Sequence, residues 1–176
     1  MKKMAVFLKC NGGRIIILAL LGLWAQVGFA QDAKSYSYKT YWNSDYGYKI
    51  TYPDKVLKPE PESFGGDGRW FDDKKGKQIL QVYGTHNLDP ETSEEIPLKK
   101  QYAIELKNYK SRPGLNITYT TLGKSLYIIS GTEKGKVFYQ KTILRPEGYA
   151  YASLNYDTSE RAVYDTVSGV IFKSFK

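Results

Sequence analysis

Between Tyr46 and Pro53 large side chains alternate with small or polar ones. Tyr46, Tyr48, Ile50 and Tyr52 fall on one side, and Gly47, Lys49 and Thr51 on the other. A period of two is the signature of a strand with one buried face. Pro53 has no N–H to give to a ladder and predicts its end. The segment 31–44 is polar with scattered aromatics, and reads as a tail that gains order near Tyr41. The segment 55–63 holds Pro59 and Pro61 and reads as a connection across the surface. Residues 69–71 and 78–83 predict a hairpin whose polar turn ends in Gly76, in the positive-φ position. Residues 84–95 read as loop.

Helical spacing first appears at 97–110. Leu98, Tyr102, Leu106 and Tyr109 share one face. Pro97 suits a first helical turn, and Arg112-Pro113-Gly114 predicts the stop. Strands are then expected at 115–122, 125–130, 136–144 and 149–156, joined by short loops at 132–135 and 145–148, as in a meander. A second helix follows, capped by Thr158 or Ser159, with Val163, Val167, Val170, Ile171 and Ser174 as its inner stripe. The expected fold class is α+β: an antiparallel sheet of about six strands with helices packed on its faces.

The first thirty residues stand apart. Lys2, Lys3, Lys9 and Arg14 precede an apolar run that closes on Gly28-Phe29-Ala30. Basic, apolar, then small residues is the layout of a secretory signal peptide, with cleavage expected after Ala30. The run 15–30 contains Gln26 and falls short of the roughly 20 apolar residues a spanning helix needs. Cys10 lies before the apolar run, where it cannot serve as a lipoprotein cysteine. The organisation expected is a signal peptide at 1–30, an N-terminal segment at 31–44 and one domain at 45–176. Cleavage removes four cations and no acid, so the net charge falls from +8 to +4. A modest, scattered positive charge is an ordinary surface and not a nucleic-acid footprint. The single cysteine also leaves, and with it disulfide, thiol and thiolate-ligand chemistry.

Candidate chemistry is sparse. His86 is the one histidine. A structural zinc site takes four Cys or His ligands, and a catalytic triad needs an oriented base beside a nucleophile; no Gly-x-Ser-x-Gly sequence occurs. Asp67, Asp72 and Asp73 lie among glycines but lack the alternation of a calcium loop, and turn chemistry accounts for them. Gly65-Gly66-Asp67-Gly68 lacks the Lys-Ser/Thr of a phosphate loop. Glu60 with Glu62, or Glu94 with Glu95, could act as glycosidase carboxylates only if the fold set two acids about 5–9.5 Å apart across a sugar. No catalytic, cofactor or metal residue is therefore expected. Arginine and aromatics dominate binding hot spots, so Arg69, Trp70, Tyr83 and His86 are the candidates for a recognition patch.

Tyr46-Gly47-Tyr48-Lys49-Ile50-Thr51-Tyr52-Pro53, then Gly66-Asp67-Gly68-Arg69-Trp70-Phe71, Gly76, Leu80-Gln81-Val82-Tyr83-Gly84, Tyr164-Asp165 and Ser174-Phe175 together resemble the PsbP-like (Mog1/PsbP) fold of small bacterial secreted proteins. The resemblance runs from about Tyr41 onward. It implies an α/β/α sandwich and carries no catalytic set. The expectation is an exported, non-enzymatic binding or accessory protein of the bacterial cell envelope, periplasmic or extracellular, that holds a protein or an envelope component without membrane insertion. The alternatives are an inhibitor or immunity protein against an envelope-targeting enzyme, or a carboxylate-based hydrolase.

Overall fold

In a computed structural model the chain is described from residue 33 to 176. The expected signal peptide lies outside the described residues. The elements are β1 (Tyr38–Asn43), β2 (Tyr48–Pro53), β3 (Lys58–Pro59), β4 (Gly68–Asp72), β5 (Gln78–Thr85), α1 (Leu98–Lys110), β6 (Leu115–Leu122), β7 (Leu126–Glu133), β8 (Lys136–Arg145), β9 (Gly148–Asp157) and α2 (Arg161–Ser174). Seven strands form one antiparallel sheet in the order β3-β4-β5-β9-β8-β7-β6, and β1 and β2 form a separate ribbon. After the β4–β5 hairpin the chain crosses through α1 to the far edge. The meander β6 to β9 then returns until β9 pairs with β5.

The sheet has a core on each face. On one, Leu80, Val82, Ala150, Ala152 and Leu154 meet β2 (Tyr48, Ile50, Tyr52) and α2. On the other, Tyr127, Ile129, Phe138, Tyr149 and Tyr151 meet Leu98, Tyr102, Leu106 and Tyr109 of α1. The stripe expected of α1 is thus the one that packs. The chain end ties α2 to the ribbon: Lys49 and Lys176 exchange backbone hydrogen bonds of 2.9 and 3.2 Å, and Thr51 N donates to Ser174 Oγ at 2.7 Å.

Five local expectations are corrected. The segment 31–44, expected to gain order near Tyr41, is already a strand from Tyr38, where β1 pairs with β2 in the register Tyr41↔Ile50. Its pattern is inverted, since Trp42 is 58% exposed while Asn43 is buried. Asn43 can be buried because Nδ2 donates to Tyr41 Oη (3.1 Å) and Gly66 O (2.7 Å), and Oδ1 accepts from Tyr46 N (3.0 Å); satisfied amides are tolerated inside. The connection at 55–63 contributes β3, which brings the sheet to seven strands. The loop expected at 132–135 shrinks to Lys134-Gly135, because Lys134 takes a positive φ of 48° and closes a two-residue hairpin. Finally, α2 is entered through a 3-10 turn at Thr158–Glu160 in which Asp157 and Glu160 form a capping box, so neither Thr158 nor Ser159 is the cap. Its buried stripe is Tyr164, Val167, Ile171 and Phe172, with Val163 37% exposed. Aromatic contacts set this rotation: Tyr164 lies 5.0 Å from Tyr156 and Phe172 lies 4.1 Å from Tyr139, centroid to centroid.

Candidate functional site

Strand parity decides which face each candidate side chain takes. Trp70 pairs with Gln81, and Tyr83 pairs with Tyr151. Tyr83 stacks on Tyr151 at 4.8 Å with the rings 9° from parallel, and Tyr151 belongs to the core under α1. Trp70, Gln81 and Tyr83 therefore share the α1 face. Because α1 packs on β6 and β7, it leaves β4 and the adjoining part of β5 uncovered. There a groove of about 220 Å³ is lined by Pro61, Ser63, Asp67, Trp70, Gln81 and Tyr83, among others.

The loop that walls the groove is pinned from both sides. Tyr48 Oη donates to Asp67 O at 2.8 Å, Gly84 N donates to the same carbonyl at 2.8 Å, and Ser63 N donates to Gly68 O at 2.8 Å. Ser63 Oγ also bonds the Asp67 carboxylate. Gly68 permits the approach, because a Cβ there would stand 2.0 Å from Val82 O. A larger cleft of about 550 Å³ lies elsewhere, between Tyr36, Lys55, Lys74, Val163 and Tyr164. Long lysine stems supply much of its wall, and such side chains reorient freely. The smaller groove is the better-formed site.

Arg69 lends the groove its position in β4 but aims its side chain at the opposite face. Its guanidinium carbon sits 4.3 Å above the Tyr41 ring and its Nη2 is 3.6 Å from Glu62. His86 follows β5 and is exposed. Its ring is 5.6 Å from that of Tyr46, and Nδ1 is 3.1 Å from Glu147 O. Of the four residues singled out from the sequence, the fold brings the side chains of Trp70 and Tyr83 together and directs those of Arg69 and His86 elsewhere.

Behind Tyr151 lies a polar network that the sequence reading missed. Gln101 Nε2 lies within hydrogen-bond reach of Glu105 Oε1 (3.2 Å) and Tyr151 Oη (3.1 Å). Gln140 Nε2 donates to Glu105 Oε2, and Tyr109 Oη donates to Gln140 Oε1 at 2.8 Å. Burial pushes the Glu105 carboxyl up from its ordinary value, against hydrogen bonds that favour the ionised form. Burial, with Glu105 nearby, also pushes Tyr83 up to about 12. The available signal was the i, i+4 spacing of Gln101 and Glu105 beside the apolar stripe, together with Gln140 between Phe138 and Thr142 at strand spacing. Among the described residues no cluster of three or more His, Cys, Asp or Glu side chains is placed to hold a metal, and no helix is long and apolar enough to cross a membrane.

Neither a protein-family model nor a curated protein matches the chain. Among solved structures, the solution structure of cyanobacterial PsbP (CyanoP) from Synechocystis sp. PCC 6803 is similar to it, with a TM-score of 0.54 and 14% sequence identity. That match covers 89% of this chain and 98% of the other. The fold is PsbP-like, as the motifs from Tyr46 onward implied.

Proposed function

We propose that this chain is an exported, non-enzymatic binding or accessory protein of the cell envelope, and that Trp70, Gln81 and Tyr83 contact what it binds. The observation that carries this reading is the strip of β4 and β5 left bare beside α1. Two half-buried aromatic rings and a half-buried amide line the groove there, walled by a loop whose Asp67 and Gly68 carbonyls accept three hydrogen bonds, two from backbone N–H groups and one from the Tyr48 hydroxyl. Aromatic rings give large contact area at low entropic cost, and polar groups beside them set orientation. The basic–apolar–small layout of residues 1–30 supports export. His86 supports the non-enzymatic reading, since its Nδ1 contact is to the Glu147 carbonyl and not to a nucleophile. The test is recovery of a partner from envelope extract by the native protein and by Trp70→Ala and Tyr83→Ala variants. A component retained by the native chain and lost with either variant is expected; equal recovery by all three overturns the assignment.

A further inference from the structure

The two edges of the seven-stranded sheet differ. β3 is two residues long and ends in Pro59, a short, proline-blocked edge that resists pairing. β6 runs for eight residues, Leu-Asn-Ile-Thr-Tyr-Thr-Thr-Leu, with neither a charged side chain nor a proline. A single bulge near Thr118 interrupts its ladder with β7. Apart from that ladder and the turn bond from Leu115 N to Arg112 O, no backbone hydrogen bond among the described residues reaches β6. Its outer row of N–H and C=O groups is free to template another strand.

The two faces of this edge carry different chemistry. Thr120 pairs with Ile129 and Leu122 with Tyr127, both part of the core beneath α1, so Thr120 and Leu122 face the helix. Tyr119 pairs with Ser130 and points to the other face, where it is 51% exposed. Gln101 and Glu105 of α1 reach toward β9 and β8. At 100° per residue, Lys99 and Lys110 leave the opposite flank, above the β6 edge, and Lys107 follows on the outer side. All three are exposed, and none makes an ion pair among the described residues. Glu105, the one acid of α1, is turned inward.

We propose that the β6 edge is a docking site for an extended segment of a protein partner in which acidic and apolar residues alternate. The segment adds an eighth strand, and main-chain hydrogen bonds hold it while alternate side chains are read on the two faces. Its acids lie on the α1 side, toward Lys99, Lys107 and Lys110. Its apolar residues lie over Tyr119 on the other. The period of two of a strand makes this pattern the one that meets both faces in a single register. The proposal stands independently of the Trp70 groove, which lies at the other side of the sheet.

The probe is an eight-residue peptide of alternating Glu and Val with blocked ends, added to the native protein. Hydrogen exchange should slow at alternate amides of β6 and stay unchanged in β4. A peptide of the same sequence with alternate amides N-methylated should not bind. Replacing Lys99, Lys107 and Lys110 together by Glu should weaken binding about tenfold or more, with the melting transition retained. Tyr119→Lys, which leaves those lysines in place, should also weaken the Glu/Val peptide. Equal binding of the N-methylated peptide overturns the proposal, because charge alone would then explain attraction. So does failure of the Glu/Val peptide to bind, protection confined to another strand, or self-association that protects β6 before any peptide is added.

Discussion

Truncating Val167 tests the register of α2 most directly. Val167 is fully buried between the sheet and the ribbon, whereas Val163, one turn earlier on the expected stripe, is 37% exposed. Val→Ala removes two methyl groups. At a buried site this costs about 1–3 kcal/mol in transfer and cavity terms, while a surface site changes by no more than about 0.5 kcal/mol. Both substitutions raise intrinsic helix propensity by a few tenths of a kcal/mol, a gain that cancels when the two are compared. With a urea slope of about 2 kcal/mol/M, Val167→Ala should lower the unfolding midpoint by roughly 0.5–1.5 M and Val163→Ala should leave it nearly unmoved. Glu160→Ala serves as the third arm. It removes half of the capping box and the 3.1 Å ion pair with Lys77, so a loss of about 0.5–2 kcal/mol is expected. Equal midpoints for the two valine variants would refute the rotation of the helix, and a neutral Glu160→Ala would refute the cap.

Gly68→Ala places a Cβ 2.0 Å from a backbone carbonyl of β5. The hairpin cannot yield without separating, so the variant should melt several degrees below the native protein; an unchanged melting temperature contradicts that close approach. Glu105 bears on pH dependence. Its carboxyl is raised in the fold, so the folded state binds its proton more tightly than the unfolded chain does. Its contribution to stability is therefore present below the unfolded value, about 4.3, and is lost as pH rises through the folded value. Glu105→Gln should flatten the stability–pH curve above about pH 4.3, measured by thermal melts at a series of pH values; parallel curves would show that Glu105 is not the buried acid described. Export predicts that the native protein has the mass of residues 31–176, and a membrane-fraction species that retains residues 1–30 would overturn it.

Much of this fold is legible one residue at a time. Alternation at Tyr48, Ile50 and Tyr52, helical spacing at Leu98, Tyr102, Leu106 and Tyr109, and turn residues at Asp73 and Gly76 are local signals, and the elements they imply are present. Local periodicity states that neighbours in a strand face opposite ways; it does not state which way is inward. That is why Arg69, Trp70, Tyr83 and His86 look like one patch along the chain yet divide between two faces of the sheet. The same limit hid β1, where Trp42 points out and Asn43 points in because Gly66, twenty-three residues away, accepts its hydrogen bond. It also hid the rotation of α2, which is set by Tyr156 and Tyr139. The Glu105 network joins a helix to two strands that reach it only after the α1 crossover and the returning meander. Sequence spacing alone determined β2, the β4–β5 hairpin, the two helices and the β6 to β9 meander, and their order, but not β1 or β3. The uncovered strip beside α1, the open β6 edge and the burial of Glu105 were decided by contacts between segments far apart in the chain, where packing against a particular partner, and not propensity, sets the free energy.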